Sequence, residues 1–442
     1  MADRYPPRWA SSVLAAVVTV AAGFAATAGD LPETVAPPPP GQPPLSLSDE
    51  IYRAVIEDST KIVHLRTYWL NRDNPGDVRN QAWAGGGWVE YHTDWIADTL
   101  KFGIAGYTSQ PIYAPEDEGG TLLLAPVQEG YWALGQAYGA IKVRDQVLTV
   151  FRQMVNQPEV NPQDNRMTPN TFEGVTLGGE VAPVEYFAGF LTKMKPRDAA
   201  DFTDFATKAG AIEGGDEPMV LGGLTATLPA GVKARASAYL VPNILASAYT
   251  DAIWTTPLAE GLDLRLSSQL MAQTSVGDDA LTGSSFDTWV GGIKAEAVFD
   301  ALTLSLAFTQ TGDGANWNAP YGSWPGYSSM IVKDFNRAGE WAVVAGAAYD
   351  FASLGAPGLS VTGAIAYGDG AEDPDTGIAI AGDLAEYDLT LDYSFESYED
   401  QAWLQPLRLR GRAAYVDQGD AGDITDFRII ANYEWKWGGP KD

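Results

Sequence analysis

Near the end of the chain Arg408, Arg410 and Arg412 alternate with Leu407, Leu409, Gly411 and Ala413. A period of two is strand geometry, so the three guanidinium groups share one face of one strand. Each guanidinium presents paired donors in a fixed fork that matches a carboxylate, and a row of them can hand such a group along without trapping it. Arg428 extends the row on the next alternating segment, while Arg66, Arg152, Lys233, Arg235, Arg265 and Lys294, with His64, are assigned to the same polar side of other segments. The competing reading is structural, with these cations paired to Asp263, Glu296, Asp350, Asp388, Asp392 and Glu434. Three like charges on one strand repel each other, which packing alone does not explain. The row therefore reads as a basic ladder for anionic solutes.

The elements that would carry such a ladder are strands. Phe427, Ile429, Ala431, Tyr433, Trp435 and Trp437 share one face, and Arg428, Ile430, Asn432, Glu434 and Lys436 the other. The same alternation runs through 62–69, 232–240 and 262–270. A soluble sandwich would bury the apolar face on a second sheet, whereas a membrane barrel turns it to lipid and keeps the polar face for a wet lumen. Arginines facing lipid would each cost ~2–4 kcal/mol near the bilayer midplane, so in a barrel the ladder faces the lumen. The 14 Trp and 20 Tyr recur near strand ends, as at Trp69, Tyr91, Trp289, Trp341, Tyr387 and Trp435, where an interfacial girdle would place them.

Eighteen strands are expected between 61–71 and 426–437. Connections after even-numbered strands are tight, as at 142–144, 229–230 and 300–301, and those after odd-numbered strands include the long stretches 110–128, 154–171, 194–218 and 311–340. Short turns on one side and long loops on the other describe an all-β, antiparallel, 18-stranded transmembrane β-barrel with both termini in the periplasm. Two connections break the pattern: Pro242-Asn243 is short where a long loop is due, and 396–406 is long for a turn.

Composition narrows the function. A formal net charge of −29 argues against nucleic-acid binding. No cysteine is present, which removes disulfides, thiolate metal sites and cysteine nucleophiles. His64 and His92 are the two histidines, and no G-x-S-x-G nucleophile elbow occurs, so an outer-membrane hydrolase is a weak rival; a nonselective or structural barrel is a stronger one. No metal or cofactor is expected. Residues 1–28 read as a secretory signal, with Arg4 and Arg8, an apolar stretch from Ser11 to Ala22, and Ala26-Thr27-Ala28 as a cleavage site. Residues 29–60 form a lead segment whose run Ala36-Pro37-Pro38-Pro39-Pro40-Gly41-Gln42-Pro43-Pro44 reads as an extended spacer, 61–437 the barrel, and 438–442 a tail. The acidity concentrates in expected loops, as at Glu116-Asp117-Glu118 and Asp278-Asp279.

Two stretches carry a family resemblance. One is Glu57-Asp58-Ser59 followed by Arg66-Thr67-Tyr68-Trp69-Leu70-Asn71-Arg72-Asp73; the other is Phe151-Arg152-Gln153, Pro158, Asp164-Asn165-Arg166-Met167, Pro169-Asn170-Thr171-Phe172 and Gly174. They resemble the OprD family of substrate-specific outer-membrane channels, and the resemblance extends over nearly all of the chain beyond the signal. It implies an 18-stranded barrel, monomeric or loosely trimeric, in contact with outer-membrane lipid and lipopolysaccharide. Inward-folded third and seventh loops would narrow it, and basic side chains would guide small carboxylate-bearing solutes such as amino acids or organic and aromatic acids. Those loops are 154–171, with Asp164 and Arg166, and 311–340, with Tyr321, Trp324, Ser328, Ser329 and Asp334. Both are long yet rich in aromatic, Pro and Gly residues, which suits compact packing. The strongly acidic total departs from a basic channel.

Overall fold

A computed structural model describes residues 46–380, 382–398 and 400–439. The expected signal, the proline run 36–44 and residues 440–442 lie outside the described residues. The strands are β1 (Thr60–Asn74), β2 (Val78–His92), β3 (Leu100–Tyr113), β4 (Tyr131–Val143), β5 (Gln146–Gln153), β6 (Thr171–Val181), β7 (Val184–Lys195), β8 (Met219–Thr227) and β9 (Lys233–Val241). They continue as β10 (Leu245–Ala259), β11 (Leu262–Ser275), β12 (Asp287–Phe299), β13 (Leu302–Thr311), β14 (Trp341–Asp350), β15 (Leu359–Asp369), β16 (Leu384–Ser394), β17 (Leu407–Asp417) and β18 (Ile424–Gly438).

Each strand pairs antiparallel with its sequence neighbours, and β18 closes on β1 from Thr60 opposite Gly438 to Asp73 opposite Thr425. Closure leaves no row of unpaired backbone N–H and C=O groups, the condition for a sheet to cross hydrocarbon. The barrel agrees with the 18 strands read from alternation. Turns 144–145, 182–183, 260–261 and 300–301 are two residues long, and 114–130, 154–170, 196–218 and 312–340 are the long loops. Arg144 (φ 57°) and Gly261 (φ 72°) supply the left-handed backbone that such tight reversals need. Both irregular connections are real, at 242–244 and 395–406.

Large apolar side chains stand exposed on the outer wall, among them Leu65, Phe102, Ile293, Leu306, Leu389 and Ile429, with Trp289, Tyr387, Trp435 and Trp437 toward the strand ends. The buried residues lie inside. Phe172, Leu191, Met219 and Tyr239 of the wall pack with Phe205 of a short helix, α2 (Phe205–Ala209), and with Tyr321 from the loop after β13. Tyr68, Leu70 and Ile430 pack with Leu123, Leu124 and Met167 of the loops after β3 and β5. The upper lumen is thus filled by loops rather than by wall side chains alone.

The lead segment is not extended throughout. Residues 47–57 form helix α1 (Leu47–Tyr52) and a π turn (Arg53–Glu57), capped at its start by Ser46, whose Oγ accepts from the Asp49 N–H at 3.2 Å.

Candidate functional site: the constriction and its basic wall

The loop after β5 spans the lumen. Near its start Glu159 accepts from the Ser247 hydroxyl of β10 at 2.8 Å, and farther on Asp164 pairs with Arg66 of β1 at 2.6 Å. β1 and β10 are nine strands apart in either direction around the barrel, so these two anchors are on opposite walls. Thr168 bonds to Tyr131 at 2.8 Å and receives the Lys195 ammonium at 3.0 Å, which holds the return path. The loop after β13 docks beside it: Asn161 Oδ1 accepts from the Ser323 N–H at 2.9 Å.

That second loop is latched along its length. Trp317 and Trp324 bury against Tyr249, Met271 and Val290, and the Tyr321 hydroxyl donates to the Phe205 carbonyl at 3.0 Å. Ser328 receives the Thr309 hydroxyl at 2.9 Å, and Ser329 donates to Asp334 at 2.8 Å. The N–H groups of Val332 and Lys333 then reach the Glu386 carboxylate at 2.7 Å each, and that of Ile331 reaches Asp388 at 2.9 Å. Arg428 closes the latch by donating to the Ile331 carbonyl at 2.8 Å. Both loops thus fold inward, and Asp164, Arg166, Tyr321, Trp324, Ser328, Ser329 and Asp334 all take part in that packing.

The basic residues fall into two groups. Most are paired: Arg235 with Asp251 at 2.6 Å, Arg265 with Glu296 at 3.6 Å, Lys294 with Glu296 at 3.1 Å, Arg410 with Asp392 at 2.6 Å, Arg428 with Asp426 at 2.6 Å, and Arg408 with Glu396. Arg412 and Lys233 have no carboxylate within ion-pair distance among the described residues; Arg412 donates only to Thr390 Oγ1 at 3.3 Å. Asp263 shares the inner face of β11 with Arg265. His64 stacks on Trp88, with centroids 3.9 Å apart, and bonds to Glu434 at 3.0 Å.

Arg152 is a correction. Two-residue spacing places it on the face of Val150, which pairs with the exposed Val175 on the outer wall, while Gln153 turns inward and is buried. Leu148, Val150 and Arg152 share one parity, so simple alternation in β5 already opposed the lumen assignment. Near the loop end an outward arginine is tolerated because it pairs with Glu173 at 3.2 Å and lies 4.2 Å from the Phe202 ring centroid.

Three members of the site escape sequence reasoning. Arg72 shares Asp426 with Arg428, at 2.8 Å, and Lys195 is buried with its ammonium facing the rings of Tyr107 and Tyr131. Arg197, in the loop after β7, bonds to the Asn165 side chain. Among the described residues Arg166 has only carbonyl partners, Thr121 O at 2.9 Å and Asn165 O at 2.8 Å; burial, then the charge of nearby Arg197, pulls its guanidinium below its ordinary value. Arg412 and Arg428 stand directly opposite each other in the β17–β18 register. Arg166, Arg197, Arg412 and Arg428 thus lie near one another at the level of the two loops, with Asp198, Asp334, Asp388 and Asp426 as nearby acids; among the described residues only Arg428 of the four holds an ion pair, with Asp426. Alternation finds Arg412 and Arg428 but cannot find Arg197, because no strand period governs a loop.

Residues 53–437 match the outer membrane porin, OprD family. The chain belongs to the OprD family. Solved structures share the fold: OpdK of Pseudomonas aeruginosa, crystallised with vanillate, superposes with a TM-score of 0.76 at 19% identity, covering 86% of this chain and 99% of that one. A BenF-like porin of Pseudomonas fluorescens gives 0.77 at 17% identity over 86% and 99% of the two chains. OccK9 (OpdG) of Pseudomonas aeruginosa gives 0.77 at 22% identity over 87% and 100%. No curated protein sequence matches the chain. As an OprD-family porin, the protein is an outer-membrane channel for small molecules in a Gram-negative bacterium and not an enzyme.

Proposed function

We propose that this OprD-family porin conducts small carboxylate-bearing solutes by facilitated diffusion, with the constriction between the two inward loops as its selective step. The observation that carries this reading is a set of guanidinium groups at that level that hold no ion pair. Arg412, Arg166 and Arg197 have no acid within ion-pair distance among the described residues, and Arg428 faces Arg412 across one strand pair. A carboxylate entering there meets the Arg412 guanidinium and the positive field of the buried Arg166 and Arg428 behind it.

The paired cations Arg66, Lys294, Arg265, Arg235, Arg410 and Arg408 serve as flanking steps, where an entering carboxylate exchanges with a resident one. Such exchange keeps a solute from binding too tightly to leave. In fold, OpdK is a relative crystallised with vanillate, a small aromatic acid, which supports the same solute class here only alongside the basic wall. Purified barrel in liposomes should admit benzoate-like and aliphatic acids faster than neutral sugars of similar size, with basic amino acids, which also carry a carboxylate, included in the panel. Equal rates for acids and sugars would leave a nonselective pore, and no uptake of any solute would leave a structural barrel.

A further inference from the structure

We propose that residues 47–57 form an arm lying in the periplasmic interface of the outer membrane, outside the barrel, with zwitterionic phospholipid as its partner. Leu47–Tyr52 precedes the family match, which starts at residue 53.

The placement follows from which strand faces hold the arm. In β2, Trp88 stacks on lumen-facing His64, and Glu90 and His92 bond to each other and to the inner residues Gln136 and Tyr138. Tyr91 therefore points outward, like the exposed Val89. Lys61 pairs in register with both Tyr91 and Trp437, so it shares that outer face. These outward side chains bind the arm: the Tyr91 hydroxyl donates to the Val55 carbonyl, and Lys61 Nζ donates to the Ile56 carbonyl at 3.3 Å and to Ser59 Oγ at 2.7 Å. The Asp94 N–H adds a bond to the Ala54 carbonyl at 2.8 Å. The arm is thus tied to the aromatic girdle at the end of the barrel where the short turns and both termini lie.

Its own surface then selects the partner. Ala54 is buried against the barrel, while Leu47, Ile51, Tyr52 and Ile56 are 64%, 43%, 55% and 52% exposed. Spacings of four and five residues through a helix and a π turn bring these four to one side, with Asp49, Arg53 and Glu57 on the other. An apolar stripe beside a lipid-facing band continues that band into the headgroup layer, where aromatic and aliphatic side chains are accommodated. The polar side is acidic rather than basic, which favours a zwitterionic surface over an anionic one.

The cysteine-free chain allows single-cysteine probes. An environment-sensitive fluorophore on Ile51→Cys or Asp49→Cys is followed in vesicles of phosphatidylethanolamine carrying brominated acyl chains. The expected result is a blue-shifted probe at position 51 that loses emission to the bromines, a probe at 49 that does not, and weaker quenching at 51 when phosphatidylglycerol replaces the zwitterionic lipid. Equal exposure of both probes to water would overturn the proposal. So would a shielded but unquenched probe at 51 whose thiol forms a disulfide with a second barrel, because a protein copy would then cover the arm. Deleting residues 47–52 should leave single-channel conductance unchanged; a rise would mean that the arm obstructs the pore and would equally overturn it.

Discussion

Arg410 and Arg412 stand two residues apart on the same face, yet only Arg410 holds an acid, Asp392, at 2.6 Å. Replacing Arg412 removes a guanidinium that is available to a solute, whereas replacing Arg410 frees a carboxylate as well as removing a cation. Arg412→Ala should cut carboxylate flux by about tenfold or more, the factor that corresponds to one charge-assisted hydrogen bond, and leave neutral-solute flux intact. Arg410→Ala, by leaving Asp392 unpaired, should repel anions too, and the double change with Asp392→Asn should recover part of the loss. Uptake rates in liposomes measure both, and an Arg412→Ala channel with unaltered anion flux would remove this side chain from the path. Glu159 gives a second residue-scale prediction. It is buried, and among the described residues it accepts only the Ser247 hydroxyl and has one oxygen without a partner; burial pushes its carboxyl up to about 7, against the lowering effect of that bond. The docked loop therefore binds a proton that the undocked loop releases between its ordinary value and about 7. Docking is strongest below that window and weakens as pH rises through it, by up to ~3 kcal/mol. Labelling of a Val160→Cys thiol should accelerate from pH 5 to 8 more steeply than in the same protein with Glu159→Gln, a comparison that cancels the thiol's own titration. Equal slopes would show that Glu159 does not titrate with docking.

The loop after β13 is held by carboxylates, not by sheet. Glu386 and Asp388 accept from three successive backbone N–H groups, 331–333, and each N–H left unmet in a buried setting costs ~1–3 kcal/mol. The double variant Glu386→Gln/Asp388→Asn should loosen the latch and make single-channel current flicker, with the barrel still migrating as folded on a gel. Deleting 313–335 should raise conductance outright, and a folded barrel with unchanged conductance would show that the loop does not narrow the pore. Much at this scale was legible beforehand, because a wall exposed to lipid on one side and water on the other must alternate. The expected 359–368 is β15 to within one residue, and the short 242–244 connection was visible as Pro242-Asn243. The helix at 47–57 was not legible: it is short and lies beside a proline-rich run, and tertiary bonds from Lys61, Tyr91 and Asp94 fix it. The partners of the basic ladder were half legible. Asp392 and Glu296 are readable as acids able to pair, but whether an arginine is satisfied depends on rotamers and on loop residues such as Asp164, which no strand period positions.

At the scale of the molecule, two charge distributions oppose each other. The chain carries −29 in total, with acids at 116–118, 278–279 and 372–375 in loops, while the constriction holds Arg412, Arg166 and Arg197 without ion-pair partners among the described residues. Which one governs selectivity depends on screening length against distance. At ~0.15 M salt the Debye length is about 8 Å, so a solute at the constriction responds to Arg412, Arg428, Arg166 and Arg197 and scarcely to charges out on the loops. At ~0.01 M it grows to about 30 Å, and the acidic rim then acts on anions still approaching the mouth. Two variants separate the fields: Arg412→Ala/Arg166→Gln/Arg197→Gln strips the constriction, and Glu116→Gln/Asp117→Asn/Glu118→Gln strips part of the rim. In planar bilayers at physiological salt, the first should move the reversal potential toward cation selectivity and the second should leave it nearly unchanged. In dilute salt the rim variant should raise anion conductance above that of the parent channel, because the repulsion it removes is no longer screened. Arg166 is buried in the loop packing, so its glutamine replacement is also made alone, with barrel migration as the check on folding. A reversal potential that follows the rim variant at physiological salt and ignores the constriction variant would place the selective field outside the barrel, and the basic wall would then be structural.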